Sequence, residues 1–373
     1  MKVAFISPRY YPNVAGGGEV SLKLLAEGLN EHDSIEKVSV FCFDGLSLDT
    51  INGVAVHRLG NSFELPEYSN PVCYSRLKDV LSHYDLVHSY NMEYHPAAGA
   101  LADHLSIPAV ATLNSYTYLP KRKMGMETTT KELLYEKVFL PFTGRILIKY
   151  IEKIDKFITL SEASKQIYDS QRDSYRDITV IPNLIDTELS TYNDYSPDGE
   201  VTILYVGSLK KIKGVRYLIE ALTHLPSRFR LRIVGDGPEM DNLVRLATDR
   251  NLTSRIDFVG SIPYGLIDEQ YERADIFAHP GVWVEPFGRT VVEAIQSGLP
   301  VVATDLGGPS EIVSVPELLC EPRDPSGLAT SIQWASEHHD VVDELQRTVE
   351  SRYAPSVVVP KVADLYANAC AGR

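Results

Sequence analysis

Short runs of consecutive apolar residues recur along the chain, and each is followed by a turn and a stretch with helical spacing. Residues 1–184 contain "VAFIS", "VSVFCF", "DLVHSY", "PAVATL", "KFITL" and "ITVIP", and residues 201–355 contain "TILYVG", "LRIVG", "IDFVG", "DIFAHP" and "PVVAT". Runs that are apolar throughout, rather than alternating, predict strands buried on both faces of a parallel sheet. Their alternation with helical stretches predicts βαβ units and therefore an α/β fold.

A polar stretch over residues 185–200 has no apolar period and ends in Pro-Asp-Gly, which predicts a linker. On each side of it the chain opens with a strand, a glycine-containing loop and a helix. We therefore predict two Rossmann-like domains, residues 1–184 and 201–355, that face each other across a deep cleft with ligand at the carboxyl ends of the strands. A C-terminal helix over about residues 356–373 is predicted to pack back on the first domain.

The composition narrows the class of protein. A chain of 373 residues favours two domains, and its net charge of −14 argues against nucleic-acid binding, which usually needs a basic face. The four cysteines form no C-x-x-C pair, so neither a zinc site nor a disulfide framework is predicted. No signal peptide or membrane span is recognisable. These features favour a cytoplasmic protein, or one peripheral on the inner face of a membrane.

The most informative stretch is "GVWVEPFGRTVVEAIQSGLP", in which Glu285 and Glu293 lie eight positions apart. Pro286 and Gly288 disfavour a helix through Glu285, whereas the apolar spacing that follows predicts a helix starting near Arg289. Amides at such a helix start are free donors at a positive helix end, which binds phosphate well. Flanking carboxylates can accept from vicinal hydroxyls. The pattern favours a nucleotide-sugar site, with two unrelated surface acids as the alternative.

Two further loops suit a diphosphate. "VGSLKKIKG" places Lys210, Lys211 and Lys213 at the end of a strand, where they would be drawn to an anionic ligand. "GGGEVSLKLLAEGL" places Gly16–Gly18 before a helix, although the spacing matches neither a dinucleotide fingerprint nor a Walker A motif. A solvated basic loop and a flexible helix cap remain the alternatives for these two segments.

Taken in order, "VIPNLIDTE", "YVGSLKKIKG", "IVGDGPE", "FVGSIPYGLIDEQYERADIFAHP" and "GVWVEPFGRTVVEAIQSGLPVVATDLGGPSEIV" resemble the family-4 retaining glycosyltransferases of the GT-B fold. The match is dense from about residue 178 to 335. The first half is similar only through "GGGE", "DLVHSYN" and "SEAS". The resemblance implies a retaining transfer of sugar from a nucleoside-diphosphate sugar to a hydroxyl acceptor, which is a glycan, a lipid-linked glycan or a small molecule.

The resemblance also implies roles for individual residues. Glu293 matches the second acid of the E-x7-E motif, which holds the ribose, and Glu285 matches the first, near the donor sugar. Lys213 matches the lysine that offsets charge on the departing diphosphate. The remaining donor-binding candidates are Gly17, Gly18, Ser208, Lys210, Gly260, Ile262, Phe287, Gly288, Arg289 and Thr290.

The chain departs from the family pattern at two positions. Ser208 stands where the family usually has arginine, and Lys210 or Lys211 could replace the charge without the forked geometry. Asn114 stands where histidine is frequent near the donor sugar; it can hydrogen-bond a hydroxyl but cannot titrate. His88 matches a strand-end histidine of the family. Asn114 and His88 therefore join Lys213 and Glu285 as catalytic candidates.

Leaving-group stabilisation by Lys213 and the helix start predicts a reaction without a divalent metal, and no Asp-x-Asp cluster is placed to hold one. No cofactor is expected beyond the nucleotide sugar as co-substrate. The sequence identifies no residue that would take the proton from the acceptor hydroxyl. The phosphate of the leaving group is therefore a reasonable base for it.

Residues 121–156 carry nine Lys or Arg against five Asp or Glu, together with "VFLPF" and "ILIKYI". Basic and apolar content of this kind is typical of a segment that contacts an anionic membrane, with a buried helix bearing a solvated basic side as the alternative. Three other functions stay open: a catalytically silent nucleotide-sugar binder, a GT-B phosphorylase, and a Rossmann oxidoreductase with Asp44 as its ribose ligand.

Overall fold

The computed structural model of the chain describes residues 1–63, 65–119, 140–170, 174–186 and 199–372. These residues form two compact units. Of the described residues, the first unit holds those up to Leu184 and those from Pro355 onward, and the second holds those within Ile185–Ala354. Most of the predicted linker and residues 121–139 of the basic segment lie outside the described residues.

The first unit is built on an eight-stranded sheet with strand order β3-β4-β2-β1-β5-β6-β7-β8. Every neighbouring pair is parallel except β3 with β4, which is antiparallel. The strands are β1 Lys2–Ser7, β2 Lys37–Cys42, β3 Asp44–Ile51, β4 Val54–Asn61, β5 Leu86–Ser89, β6 Ala109–Leu113, β7 Lys156–Thr159 and β8 Ile178–Val180.

The second unit is built on a six-stranded, wholly parallel sheet with strand order β11-β10-β9-β12-β13-β14. The order reverses direction beside β9, which is the arrangement of a doubly wound fold. The strands are β9 Val201–Val206, β10 Phe229–Val234, β11 Ile256–Gly260, β12 Ile276–His279, β13 Val301–Thr304 and β14 Leu319–Cys320.

Helices connect the parallel strands in both units. Those in the first unit are α1 Gly17–Asn30, α2 Pro66–Leu77, α3 His95–Leu105, α4 Leu140–Ile151 and α5 Glu162–Asp169. Those in the second are α6 Val215–Ala221, α7 Met240–Asp249, α8 Asp268–Glu272, α9 Arg289–Gln296, α10 Gly308–Ile312, α11 Pro325–Glu337 and α12 Val342–Tyr353. The last helix, α13 Pro355–Ala371, belongs to the first unit.

The last helix is held to the first unit by close apolar packing. Val358, Val362 and Tyr366 of α13 lie in one core cluster with residues of β1 and α1. A Cβ atom built on Gly28 of α1 would come within 2.7 Å of Cγ2 of Val359, so the two helices approach at a point that only glycine allows. None of the helices in the described part of the chain has the length and apolar content needed to span a bilayer.

The predicted α/β fold with two parallel-sheet domains is confirmed. Each of the eleven apolar runs overlaps one of the observed strands. The hairpin of β3 and β4 was not predicted from the sequence, because only β4 shows clear alternation of buried residues. Its turn carried a recognisable signal, since Asn52 and Gly53 adopt φ angles of 47° and 83°, which is typical of a two-residue hairpin turn.

Candidate functional site

Glu285 lies in the loop between β12 and α9, where its carboxylate meets two basic side chains. The Lys213 ammonium is 2.8 Å from Oε1 and 2.7 Å from Oε2 of Glu285. Nε2 of His279, the last residue of β12, is 3.0 Å from the same Oε2. The side chains of Lys213 and Glu285 are only 20% and 16% exposed, so this ion pair is largely shielded from water.

Backbone conformation explains how Lys213 reaches Glu285 across a separation of 72 residues. Residues Lys211–Lys213 form a single 3₁₀ turn after β9, and Gly214 then adopts φ +70°. A Cβ on Gly214 would lie 1.8 Å from the Pro280 carbonyl oxygen, so glycine is required for the two loops to touch. The Lys213 ammonium also lies 5.6 Å from the ring centroid of Trp283.

The electrostatics of the cluster keep Glu285 ionised. Burial by itself raises the pKa of the Glu285 carboxyl, but the positive charge of Lys213 and the contact with His279 outweigh burial and hold the net pKa well below its ordinary value. The site therefore presents an ionised Glu285 carboxylate in contact with Lys213.

This pKa shift predicts a pH dependence of stability. Below about pH 5 the unfolded state binds more protons at residue 285 than the folded state does, so stability contributed by Glu285 is present above its unfolded pKa and is lost as the pH falls. We expect Glu285→Gln to remove this contribution, up to about 1.4 kcal/mol per pH unit. Urea unfolding of both proteins from pH 6 to pH 3 measures it; parallel profiles would contradict the assignment.

The helix that follows starts where the sequence predicts. α9 begins at Arg289, directly after Gly288, whose φ of 108° is unfavourable for any residue with a Cβ. Phe287 is buried, and its ring packs edge-on against Tyr353 with centroids 5.5 Å apart. Thr290 is half-buried on the first turn of α9. The first amides of this helix follow Glu285 closely in sequence and carry the positive end of the helix dipole.

Glu293, on the next turn of α9, is 3% exposed and has three partners. The Tyr264 hydroxyl donates to Oε1 at 2.9 Å, the Tyr271 hydroxyl donates to Oε2 at 3.1 Å, and Nε of Arg289 is 3.0 Å from Oε1. Burial raises the pKa of Glu293, and the neighbouring Arg289, Tyr264 and Tyr271 offset part of that rise. The carboxylate is therefore fixed in one orientation by groups on two segments.

Gly307 and Gly308 hold the Glu285 loop in place. The Gly308 amide donates to the Glu285 carbonyl oxygen at 2.7 Å. A Cβ on Gly307, which has φ +74°, would lie 2.7 Å from the Glu285 amide nitrogen, and a Cβ on Gly308 would lie 2.4 Å from the Phe287 carbonyl oxygen. The "DLGG" that follows β13 thus closes against the loop that carries Glu285.

The other candidates of the second unit lie at strand ends. Ser208 and Lys210 are exposed after β9, and the Ser208 carbonyl oxygen accepts from the Tyr205 hydroxyl at 3.0 Å. Gly260 ends β11 with φ +80°, and Ile262 follows it, half-buried. All of them are at the carboxyl ends of parallel strands, the edge at which doubly wound folds bind ligands.

The first unit carries the remaining candidates. Gly17 is exposed at the start of α1, and a Cβ on Gly18 would be 3.7 Å from Nδ2 of Asn91, which follows β5. The Asn114 side chain, after β6, donates from Nδ2 to the Tyr90 carbonyl oxygen at 2.9 Å. The glycines and Asn114 are thus also placed at the carboxyl ends of the parallel strands of their own sheet.

Two family models match the chain and together span most of it. The model described as "Glycosyltransferase Family 4" matches residues 15–189, and the model described as "Glycosyl transferases group 1" matches residues 193–352. The chain belongs to the family-4 GT-B glycosyltransferases. The glycosyltransferase is 24% identical to an uncharacterized glycosyltransferase of Methanocaldococcus jannaschii, over 98% of both chains.

Solved structures share the fold of this glycosyltransferase. Sucrose-phosphate synthase from Thermosynechococcus elongatus has a TM-score of 0.79 with 22% identity, covering 100% of both chains. The Anabaena protein HepE in complex with UDP and glucose has a TM-score of 0.77 with 21% identity, covering 98% of this chain and 99% of that chain. At these identities the likeness concerns the fold.

His88 does not have the environment that we expected of a catalytic candidate in this glycosyltransferase. It is 0% exposed, with Nδ1 2.6 Å from the Tyr366 hydroxyl and Nε2 2.8 Å from Oγ1 of Thr112. Burial and the nearby His95 lower the pKa of His88 to about 3, so the ring is neutral. We correct its assignment: His88 joins α13 to the core and has no surface with which to meet a substrate.

Asp44 likewise serves the structure of the glycosyltransferase. Its Oδ1 accepts from Nη1 of Arg58 at 2.6 Å, and its Oδ2 accepts from the Tyr10 amide at 3.1 Å. Nη2 of Arg58 donates to the Tyr11 carbonyl oxygen at 2.8 Å. The Asp44–Arg58 pair holds the loop that leads to the glycine-rich segment. Because the Asp44 carboxylate is engaged in this way, the oxidoreductase alternative loses the residue that it offered as a ribose ligand.

The candidate site includes three residues that the sequence did not indicate, namely His279, Tyr264 and Tyr271. His279 was visible as the polar residue at the end of the apolar run "DIFAHP", because the carboxyl end of a parallel strand is where ligands bind. The tyrosines stand in "YGLIDEQY", whose spacing gives no sign that both hydroxyls converge on Glu293. Only the folded chain shows that convergence.

Proposed function

We propose that this glycosyltransferase moves a sugar, with retention, from a nucleoside-diphosphate sugar to a hydroxyl acceptor. One observation carries the proposal: the Lys213 ammonium, after β9, is held in contact with the Glu285 carboxylate in the loop before the start of α9. A cation beside free helix amides suits a pyrophosphate, and a fixed carboxylate suits sugar hydroxyls. HepE, which shares the fold, is described in complexes with UDP and UDP-glucose.

Leaving-group stabilisation is the main task of the site in this proposal. As the bond between the anomeric carbon and the diphosphate breaks, negative charge grows on the phosphate oxygens. Lys213 and the first amides of α9 stabilise that charge and need no reorganisation, because Glu285 and Gly214 already fix the position of the lysine. Glu285 orients Lys213 and offers an oxygen to a hydroxyl of the donor sugar.

Glu293 binds the ribose of the donor in this proposal. Its Oε1 accepts from Tyr264 and lies 3.0 Å from Nε of Arg289, whereas its Oε2 accepts from Tyr271. A carboxylate oxygen has two lone-pair directions, so Oε2 retains one for a ribose hydroxyl. Since the carboxylate cannot rotate without losing three partners, it is preorganised for that hydrogen bond.

The acceptor hydroxyl attacks on the face from which the diphosphate departs, and its proton passes to the departing phosphate oxygen. With His88 confined to the core, no histidine of the first unit is assigned as a base. Asn114, held by its contact with the Tyr90 carbonyl, retains its carbonyl oxygen as an acceptor for a hydroxyl of substrate.

A panel of UDP-, GDP- and ADP-sugars tests donor binding. One donor is expected to raise the melting temperature, with stabilisation of about 2.7 kcal/mol at a hundredfold excess over Kd. Transfer or slow hydrolysis of that donor should continue in EDTA, because we propose Lys213 as the cation that faces the leaving group. No shift with any donor, or loss of activity that Mg²⁺ restores, would overturn these assignments.

A nucleotide-sugar binder without transfer activity is the second candidate. It is favoured by Ser208, exposed where the family usually carries arginine, which leaves Lys213 as the cation fixed at Glu285. Donor binding with neither transfer to any acceptor nor release of free sugar would support this candidate over the enzyme.

We also propose a lipid-linked acceptor reached by peripheral membrane contact. In the described part of the basic segment, α4 exposes Ile146 and Tyr150, which are 60% and 43% exposed, next to the exposed cations Arg145 and Lys149. Apolar groups beside cations favour an anionic bilayer surface. We expect co-sedimentation with vesicles containing phosphatidylglycerol, weakened by Ile146→Glu; no difference from phosphatidylcholine vesicles would contradict it.

A further inference from the structure

Strand β3 forms one edge of the first unit's sheet and exposes two leucines there. Among the described residues, β3 pairs with β4 on one side and with no strand on the other. Leu46 is 83% exposed and Leu48 is 71% exposed, the largest values among the exposed apolar side chains of the described chain. Opposite them on β4 lie Leu59 and His57, both half-buried. The edge therefore carries an apolar strip.

Natural sheets usually protect such an edge with lysine, proline or a bulge. β3 reads "DGLSLDTI" and contains neither lysine nor proline. Its two acidic residues do not protect the leucines from pairing with another strand, because both are engaged by Arg58. Asp44 is bound to this arginine, and Asp49 lies 3.4 Å from its Nε. Asp49 thus lies on the opposite face of the sheet from Leu46 and Leu48, and the carboxylate of Asp44, at the first position of the strand, is held by Arg58.

The direction of the free backbone groups follows from the hairpin. The Ser62 amide donates to the Phe43 carbonyl oxygen at 2.7 Å. The odd-numbered residues of β3 therefore direct their backbone N–H and C=O groups toward β4. Hydrogen-bonding direction alternates along an antiparallel strand. Leu46, Leu48 and Thr50 therefore direct their N–H and C=O groups outward, away from β4.

The strand is complementary to itself about Ser47. In an antiparallel pairing of two copies with the two-fold axis at Ser47, Leu46 of each copy lies opposite Leu48 of the other. Asp44 then lies opposite Thr50, and Gly45 lies opposite Asp49. The outward groups of Leu46 and Leu48 meet as hydrogen-bonded pairs, and no acid faces an acid.

Neighbouring registers fit less well. A two-fold axis at Leu48 leaves Leu46 opposite Thr50, and an axis at Asp49 places two carboxylates against each other. In an antiparallel pair, residues that lie opposite each other have their side chains on the same face of the sheet. The leucines of both copies therefore share one face only when the two-fold axis passes through a residue, not between two residues.

We propose that β3 pairs with β3 of a second copy of this chain, centred on Ser47, to form a dimer with one continuous sheet. The contact is isologous, as expected of a two-fold homodimer, and it covers the leucines of both copies. Backbone hydrogen bonds supply affinity and the leucine strip supplies register, as in other cases of strand addition. The proposal goes beyond glycosyl transfer and does not depend on it.

Site-directed disulfides test the register. At Ser47 the two Cα atoms would be about 4.5 Å apart, within the range of about 4.4–6.8 Å that a disulfide needs. We expect Ser47→Cys to form a disulfide-linked dimer in mild oxidant, in a background with Cys370→Ser, the other native cysteines being buried. Asp49→Cys is the matched control, since its Cα atoms would be about 13 Å apart. Equal crosslinking of both variants would overturn the register.

Sedimentation velocity over a range of concentrations tests the dimer itself. The wild type should shift from monomer to dimer, whereas Leu48→Lys should remain monomeric over the same range, with unchanged circular dichroism and melting temperature. The control variant is Lys149→Leu, which changes an exposed lysine of α4 rather than a residue of β3. It should leave the association unchanged. A wild type that is monomeric at every concentration, or a Leu48→Lys variant that still dimerises, would overturn the proposal.

Discussion

Replacing Lys213 with alanine is expected to lower kcat for sugar transfer by about 10²–10³-fold, the loss that follows removal of one preorganised group from a developing anion. KM for the donor should change less, because the charge on the phosphate oxygens is greatest in the transition state. Initial rates with the donor identified by thermal shift measure the effect. The Arg216→Ala variant is the control, since it removes a 58% exposed cation of α6 that pairs with Glu220 rather than Glu285.

Stability must be separated from catalysis in this test. Lys213→Ala leaves the Glu285 carboxylate largely buried with His279 as its neighbour, which costs up to about 3 kcal/mol. Lys213→Met combined with Glu285→Gln removes both charges, so we expect stability to recover while activity stays low. If the double variant recovered activity as well, the lysine would be a structural group rather than the cation facing the leaving group.

Replacing Glu293 with glutamine is expected to raise KM for the donor by about 10–100-fold, because a hydrogen bond to a charged acceptor contributes about 1.5–3 kcal/mol. The amide can still accept from Tyr264 at one end, so the fold should be retained. Isothermal titration with the free nucleoside diphosphate measures the loss directly. The Glu344→Gln variant, which alters an exposed acid of α12, should bind donor as the wild type does.

Alanine at position 293 is a different experiment. The structure shows a carboxylate with three neighbours at 3% exposure, so Glu293→Ala would remove the acceptor of two tyrosine hydroxyls and the negative charge beside Arg289. We expect a loss of about 3–5 kcal/mol in stability. Near-wild-type melting of Glu293→Ala would show that the three contacts contribute little.

The dimer inference and the donor site are independent of each other. Leu48→Lys should leave the Lys213-dependent rate unchanged per protomer, and Lys213→Ala should leave association unchanged. Measuring the transfer rate and the association of Leu48→Lys and of Lys213→Ala would show whether strand pairing affects the Lys213-dependent rate.

Local patterns along the chain determined most of the fold. Runs such as "TILYVG" predict buried parallel strands because a strand covered on both faces must be apolar at every position. The start of α9 at Arg289 was also a local matter, since Pro286 and Gly288 disfavour helix before it and apolar spacing favours helix after it. The order of motifs in the second half predicted the family.

Tertiary structure decided which side chains meet. Lys213 and Glu285 are 72 residues apart, and Tyr264 and Glu293 are 29 apart, so no periodicity connects them. His88 has the sequence setting of a strand-end catalytic residue, yet α13 covers it with Tyr366, 278 positions away. Burial of a polar group depends on what the rest of the chain packs against it. Periodicity reports only which face of an element is apolar, which is why the sequence determined the elements and the fold determined the chemistry of the site.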